Sequence, residues 1–226
     1  MKAWHTAAAI AALSVGLVAC AKDAEPAQTP AAAPAPSTSA GPTSSASTPT
    51  TPYQTIADYI RANNVTETPV ERGDPGSPTI TLPVPAGWRD AAAQTPQYAY
   101  WAAVLDDPAV AADPATVIAL VSKLTGPVDA AKILAFAPGE LNNLPGYDGP
   151  AEGTKSTLGG FDAVQLGGSY VKDGAKRMIA QKTVVIPAAD GSGLYVLQLN
   201  ANGLEGQMSR LLDAVSTIDA NTAIAP

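Results

Sequence analysis

An α+β domain, an antiparallel sheet with helices packed on it, is the fold class this 226-residue chain predicts. Three observations carry that expectation. The C-terminal third holds three strand-like runs, FDAVQLGGSYV (161–171), RMIAQKTVVI (177–186) and LYVLQL (194–199). Asp173-Gly174 and Asp190-Gly191 stand between them, and Asp-Gly supplies the backbone a tight hairpin needs, so the runs form a meander. Behind them Met208, Leu211, Leu212, Val215 and Ile218 recur at the spacing of one helical face. At the front, Thr55 and Asp58 have the form of a capping box ahead of Ile56, Tyr59 and Ile60.

The elements follow in order. A first helix starts at Thr55 and stops near Asn63-Asn64. TITLPVPAGW places Ile80, Leu82 and Val84 on one face of a strand that ends in a Pro/Gly turn before Trp88. YAYWAAVL (98–105) and TVIALVSKL (116–124) are strands of nearly continuous apolar character. Asp129 caps a short helix through DAAKILAF, and Pro138 interrupts it. Gly159-Gly160 and Gly167-Gly168 flank a strand, where glycine marks turns or bulges. The meander and the last helix complete one domain over 53–226, of ordinary size.

The region before it has a different composition. After Lys2 and His5, residues 7–19 run thirteen positions without a charge and end at Cys20, the single cysteine of the chain. This is the pattern of a secretory signal, residues 1–19, and it is shorter than the roughly 20 apolar residues of a spanning helix. Residues 20–52 follow as a stalk: seven of positions 21–52 are proline, with no aromatic and no branched aliphatic side chain. Such a segment buries too little surface to offset chain entropy. Its Ser/Thr/Pro run from Ser37 to Thr51 also suits an O-glycosylated stalk.

Composition removes several chemistries. The one histidine, His5, leaves with the signal, and Cys20 has no cysteine to pair with. Ser-His-Asp and Cys-His nucleophiles are therefore excluded from the mature chain, as is nearly every zinc site. No phosphate-cradling glycine motif occurs. Asp106, Asp107 and Asp113 in DDPAVAAD are oxygen ligands for calcium by type, but lack the glycines and further ligands of a built site. Ser122-Lys123 is a serine-lysine pair whose members point to opposite faces of a strand. Residues 53–226 carry 11 Lys/Arg against 18 Asp/Glu, a balance that argues against nucleic acid and anionic headgroups. No cofactor is expected.

The tetrad Leu17-Val18-Ala19-Cys20 resembles the lipobox of bacterial lipoproteins, with Cys20 as the acylated residue. Downstream, TIADYIRANNVTETPVERGDPGSPTITLPVPAGW, LVSKLTGPVDAAKILAFAPGELNNLPGY, STLGGFDAVQLGGSYVKDG and AQKTVVIPAADGSGLYVLQLNA resemble the LpqN/LpqT family of mycobacterial lipoproteins, which includes a proline-rich secreted antigen. The resemblance implies a Mog1/PsbP-like α/β/α sandwich without established enzymatic activity. It implies a protein lipid-anchored at the outer, periplasmic face of the cell membrane, in part shed. The expected role is that of an accessory binding protein in the cell envelope, with membrane proteins, MmpL-type lipid exporters among them, as partners. A carrier holding a lipid in an apolar cleft between sheet and helix is a second reading, and a serine/carboxylate hydrolase a third. Trp88 in PVPAGWRD, and Leu141, Leu144 and Tyr147 in PGELNNLPGYDGP, are the candidate partner-binding residues: turn residues there could hold large side chains at an edge. Each has the alternative of packing into the core.

Overall fold

The computed structural model describes residues 52–226. The lipobox with Cys20 and the proline-rich stretch to residue 51 lie outside the described residues. Helix α1 (Ile56–Ala62) opens on the expected capping box: Thr55 Oγ1 accepts from the Asp58 N–H, and the Asp58 carboxylate accepts from the Thr55 N–H. From α1, Tyr59 reaches the next helix, α2 (Ala130–Phe136). Its hydroxyl accepts from the Asp129 N–H at 2.9 Å and donates to the Pro127 carbonyl at 3.4 Å. Its ring centroid lies 5.7 Å from that of Phe136. Asp129 caps α2, as its position in the sequence implies. Pro138 does more than interrupt: it opens a further helix, α3 (Pro138–Asn142), at a position where a missing N–H costs nothing.

The main sheet is antiparallel throughout. In spatial order it runs β3 (Trp88–Asp90), β4 (Trp101–Leu105), β5 (Thr116–Thr125), β9 (Leu194–Leu204), β8 (Ala175–Pro187), β7 (Phe161–Lys172) and β6 (Thr154–Leu158). Strand β1 (Thr66–Pro69) pairs with the far end of β5. A separate ribbon joins β2 (Thr79–Thr81) to β10 (Ala223–Ala225). The meander stands as expected, and Asp173 and Gly174 turn it with φ of 52° and 77°. The strand expected over 79–84 stops at Thr81, because Pro83 and Pro85 have no N–H for a ladder; Val84 is exposed. The strand expected from Tyr98 starts only at Trp101, leaving Tyr98 in solvent.

Register sorts the side chains onto two faces. Val117, Ala119 and Val121 of β5, Leu197 and Leu199 of β9, and Val184 and Ile186 of β8 belong to one core. Helix α4 (Met208–Asn221) covers it with Leu211, Ala214 and Ile218. Leu124, Val164, Val185 and Val196 point the other way and meet Ile56, Tyr59 and Ile133 of α1 and α2. Helices on both faces make the three-layer sandwich that was expected.

The buried stripe of α4 differs from the expected one. Met208 and Leu212 are exposed, and Ala214 is fully buried in their stead. Residues beneath the helix include Ala103, Ala119 and Ala201, and small side chains let a helix approach closely on its own smallest residue.

Candidate functional site

Helix α4 packs on β9. On the β7–β8 side of that contact, Gly167 and Ala180 are paired across the strands and offer almost no side chain. The space they leave is a cleft of about 340 Å³ between α4 and the sheet. Val117, Leu199 and Ala201 form part of its floor, Leu212, Val215 and Ile218 of α4 one wall, and Pro150 and Thr154 the opposite rim. Gln165, Lys182 and Asp219 supply polarity at the end nearest the C-terminus of α4.

That polar end is unusual in its burial. Lys182 has 7% of its side chain exposed and pairs with Asp219, 33% exposed, at 2.7 Å. Lys182 shares its face with Ala180, Val184 and Ile186 of β8, so its ammonium points inward among apolar side chains. A buried charge is tolerated only with a partner, and Asp219, one helical turn beyond Val215, provides it. The sequence carries a trace of this arrangement: in AQKTVVI the lysine keeps step with inward-facing residues. No motif links Lys182 to Asp219, and the sequence reading missed both.

A larger groove of about 960 Å³ runs between α2 and the β6–β7 edge, with Leu134, Phe136 and Val164 in its walls. Its charged groups, Glu152, Lys155 and Asp162, are exposed. The α4 cleft sets a buried lysine and its paired, partly exposed carboxylate against an apolar wall, the combination of apolar lining and few placed polar groups found in ligand sites.

The four candidate partner-binding residues separate. Trp88 is 7% exposed within the α4-side core, and Leu141 is 2% exposed; both are core side chains rather than surface anchors. Trp88 is drawn inward because β3 pairs with β4, setting it opposite buried Leu105. Leu144 and Tyr147 are half-buried. The loop bearing Tyr147 is stitched to β7 by the paired backbones of Asp148 and Ser169. A Cβ at Gly168 would fall 2.9 Å from the Tyr147 ring, so the ring lies on bare backbone. Its hydroxyl is buried without a hydrogen-bond partner, and burial, aided by the Asp148 charge, pushes the phenol above its usual range.

The acidic residues of DDPAVAAD have separate tasks. Asp107 caps a turn by accepting from the Ala109 N–H, and Asp113 takes a two-pronged hydrogen bond from Arg177 at 2.6 and 3.1 Å. No cluster of three metal-ligating side chains occurs among the described residues. Lys123 turns to Asp190, at 3.8 Å, and to the Tyr195 ring, 5.4 Å from its centroid, which leaves Ser122 without it.

The Arg177 hydrogen bonds hold the Asp113 carboxyl below its ordinary range, with burial opposing. A depressed folded pKa adds stability above the unfolded value of about 4, and that stability is lost as pH falls through the folded one. Melting followed from pH 7 to pH 3 should thus show Asp113→Asn losing less than the wild type. The carboxylate is half exposed, so the difference should stay below about 1 kcal/mol.

Fold and sequence together match a known class of envelope lipoprotein. The family model described as "Probable lipoprotein LpqN" matches residues 52–225. The lipoprotein LpqN of Mycobacterium tuberculosis (strain ATCC 25618 / H37Rv) is 54% identical over 175 residues, covering 77% of this chain and 75% of that one. The crystal structure of LpqN "involved in cell envelope biogenesis of Mycobacterium tuberculosis" covers 78% of this chain and 100% of its own, with a TM-score of 0.74. The Ran-binding protein Mog1p of Saccharomyces cerevisiae is similar at 15% identity, over 70% of this chain and 95% of that one, with a TM-score of 0.38. The chain belongs to the LpqN family. It is a cell-envelope lipoprotein with an α+β fold dominated by one antiparallel sheet.

Proposed function

We propose that this lipoprotein, anchored through acylated Cys20 on the outer face of the cell membrane, is an accessory binding protein in membrane lipid transport. It serves exporters of the MmpL type and takes the apolar part of a lipid into the α4 cleft. Catalysis has no part in this role. The carrying observation is the cleft itself: about 340 Å³, walled by Leu199, Leu212, Val215 and Ile218 and ending at one charge pair. Leu212, which lines the cleft, is itself exposed and so joins the cleft to the surface. The involvement of the similar LpqN in cell envelope biogenesis supports the setting. Half-buried Tyr147 lies against Gly168, on the face of β7 opposite the cleft-lining Gly167, where a protein partner could touch it without closing the cleft.

In-cell crosslinking of the anchored protein, followed by mass spectrometry of protein and lipid partners, tests the reading. A membrane exporter and a co-purifying lipid are expected. Leu212→Lys should deplete the lipid without changing the melting temperature by more than a few degrees, since Leu212 is exposed. A lipid yield unchanged in that variant would remove the cleft from the function.

A further inference from the structure

The two partners at the polar end of the cleft are not equivalent. Lys182 sits on a strand in the middle of the sheet with almost none of its side chain in water, whereas Asp219 lies on the helix wall, a third exposed. A carboxylate at that position can turn to solvent and be hydrated. The ammonium cannot follow it, and left alone it would be an uncompensated buried charge. Any molecule that displaces Asp219 must therefore bring a negative charge of its own.

We infer that the cleft selects single-chain amphiphiles with an anionic head, a carboxylate or a comparable acid, which takes the place of Asp219 against Lys182. The inference rests on the lipid reading of the cleft and adds the class of head. Volume sets the single chain: about 340 Å³ is near the lower end for ligand pockets, which run from roughly 300 to 1,000 Å³. Register sets the placement. The chain lies along Val117, Ala201 and Leu212, and the head ends beside Gln165 and Lys182, which are paired across β7 and β8. In the empty protein Asp219 acts as an internal stand-in for the head, holding the Lys182 side chain paired at 2.7 Å. The net charge of −7 does not oppose this, because exposed charges beyond about 8 Å are largely screened at physiological ionic strength, while the Lys182 contact is short and desolvated.

The test compares laurate with dodecanol, which share a chain length and differ in the head. Each displaces the neutral fluorophore N-phenyl-1-naphthylamine from the mature protein. Laurate should bind at least about tenfold more tightly, the scale of one charge-assisted contact. Asp219→Asn should strengthen laurate binding severalfold by weakening the competitor, and leave dodecanol unchanged. Lys182→Met should bring laurate down to dodecanol, and Lys182→Arg should restore the preference, which separates charge from packing. Equal binding of the two probes, or a laurate preference that survives Lys182→Met, overturns the inference while leaving the lipid cleft intact. Binding of neither probe overturns both.

Discussion

Replacing Trp88 by alanine is expected to cost about 3–5 kcal/mol of folding stability, the usual range for a buried aromatic cut to a methyl. Trp88 belongs to the core beneath α4 together with Leu105, Ala115, Leu199 and Leu211. Its strand β3 is only three residues long, so little backbone pairing remains to hold the edge once the ring is gone. Urea unfolding should report the loss as a lower midpoint with an unchanged slope. The same experiment on Tyr147→Ala distinguishes the two ends of the earlier candidate set. Tyr147 lies on the opposite face, is half-buried, and has an unpaired hydroxyl, so its loss should be clearly smaller. A Trp88→Ala protein as stable as the wild type would contradict the buried placement.

Cys20→Ala should release the protein from the membrane almost completely. One acyl chain binds a bilayer only marginally and reversibly, whereas two or more hold it stably. Among the described residues no helix is long and apolar enough to cross a membrane, so the domain offers no helical substitute for the lipid. Two-phase detergent partitioning reads the outcome: wild type in the detergent phase, the variant in the aqueous phase. Retention of Cys20→Ala in the detergent phase would show that something other than acylation holds the protein.

Much of the architecture could be read from residue order because local chemistry agreed with it. Thr55 with Asp58, Asp129, and Asp173-Gly174 each fix backbone within a few residues, and the structure uses all three. Strands β7, β8 and β9 are long enough for their patterns to stand out. The short strands β1, β3, β6 and β10 were missed. TETP and TKSTL are mostly exposed, carry no apolar alternation, and become strands only because β5 and β7 present free edges to them. The cleft was illegible for a related reason. It is an unfilled space, produced where Gly167 and Ala180 meet a helix from far along the chain, and its charge pair joins residues 37 positions apart. For Trp88 and Leu141 the sequence leaves surface anchor and core side chain both open, because turn residues surround them and turn chemistry does not say which way a side chain faces; the structure buries both.

The first described residues are clamped to the rest of the domain. Tyr53 exchanges two hydrogen bonds with Asn143, its N–H to Oδ1 at 2.9 Å and its carbonyl from Nδ2 at 2.8 Å. A Cβ on Gly139 would lie 2.0 Å from the Gln54 carbonyl, so the chain is pressed flat against α3. Tyr53 and Gln54 are thereby held on the face of the sheet opposite α4, so a label coupled at Tyr53 is expected to leave probe binding in the cleft unchanged.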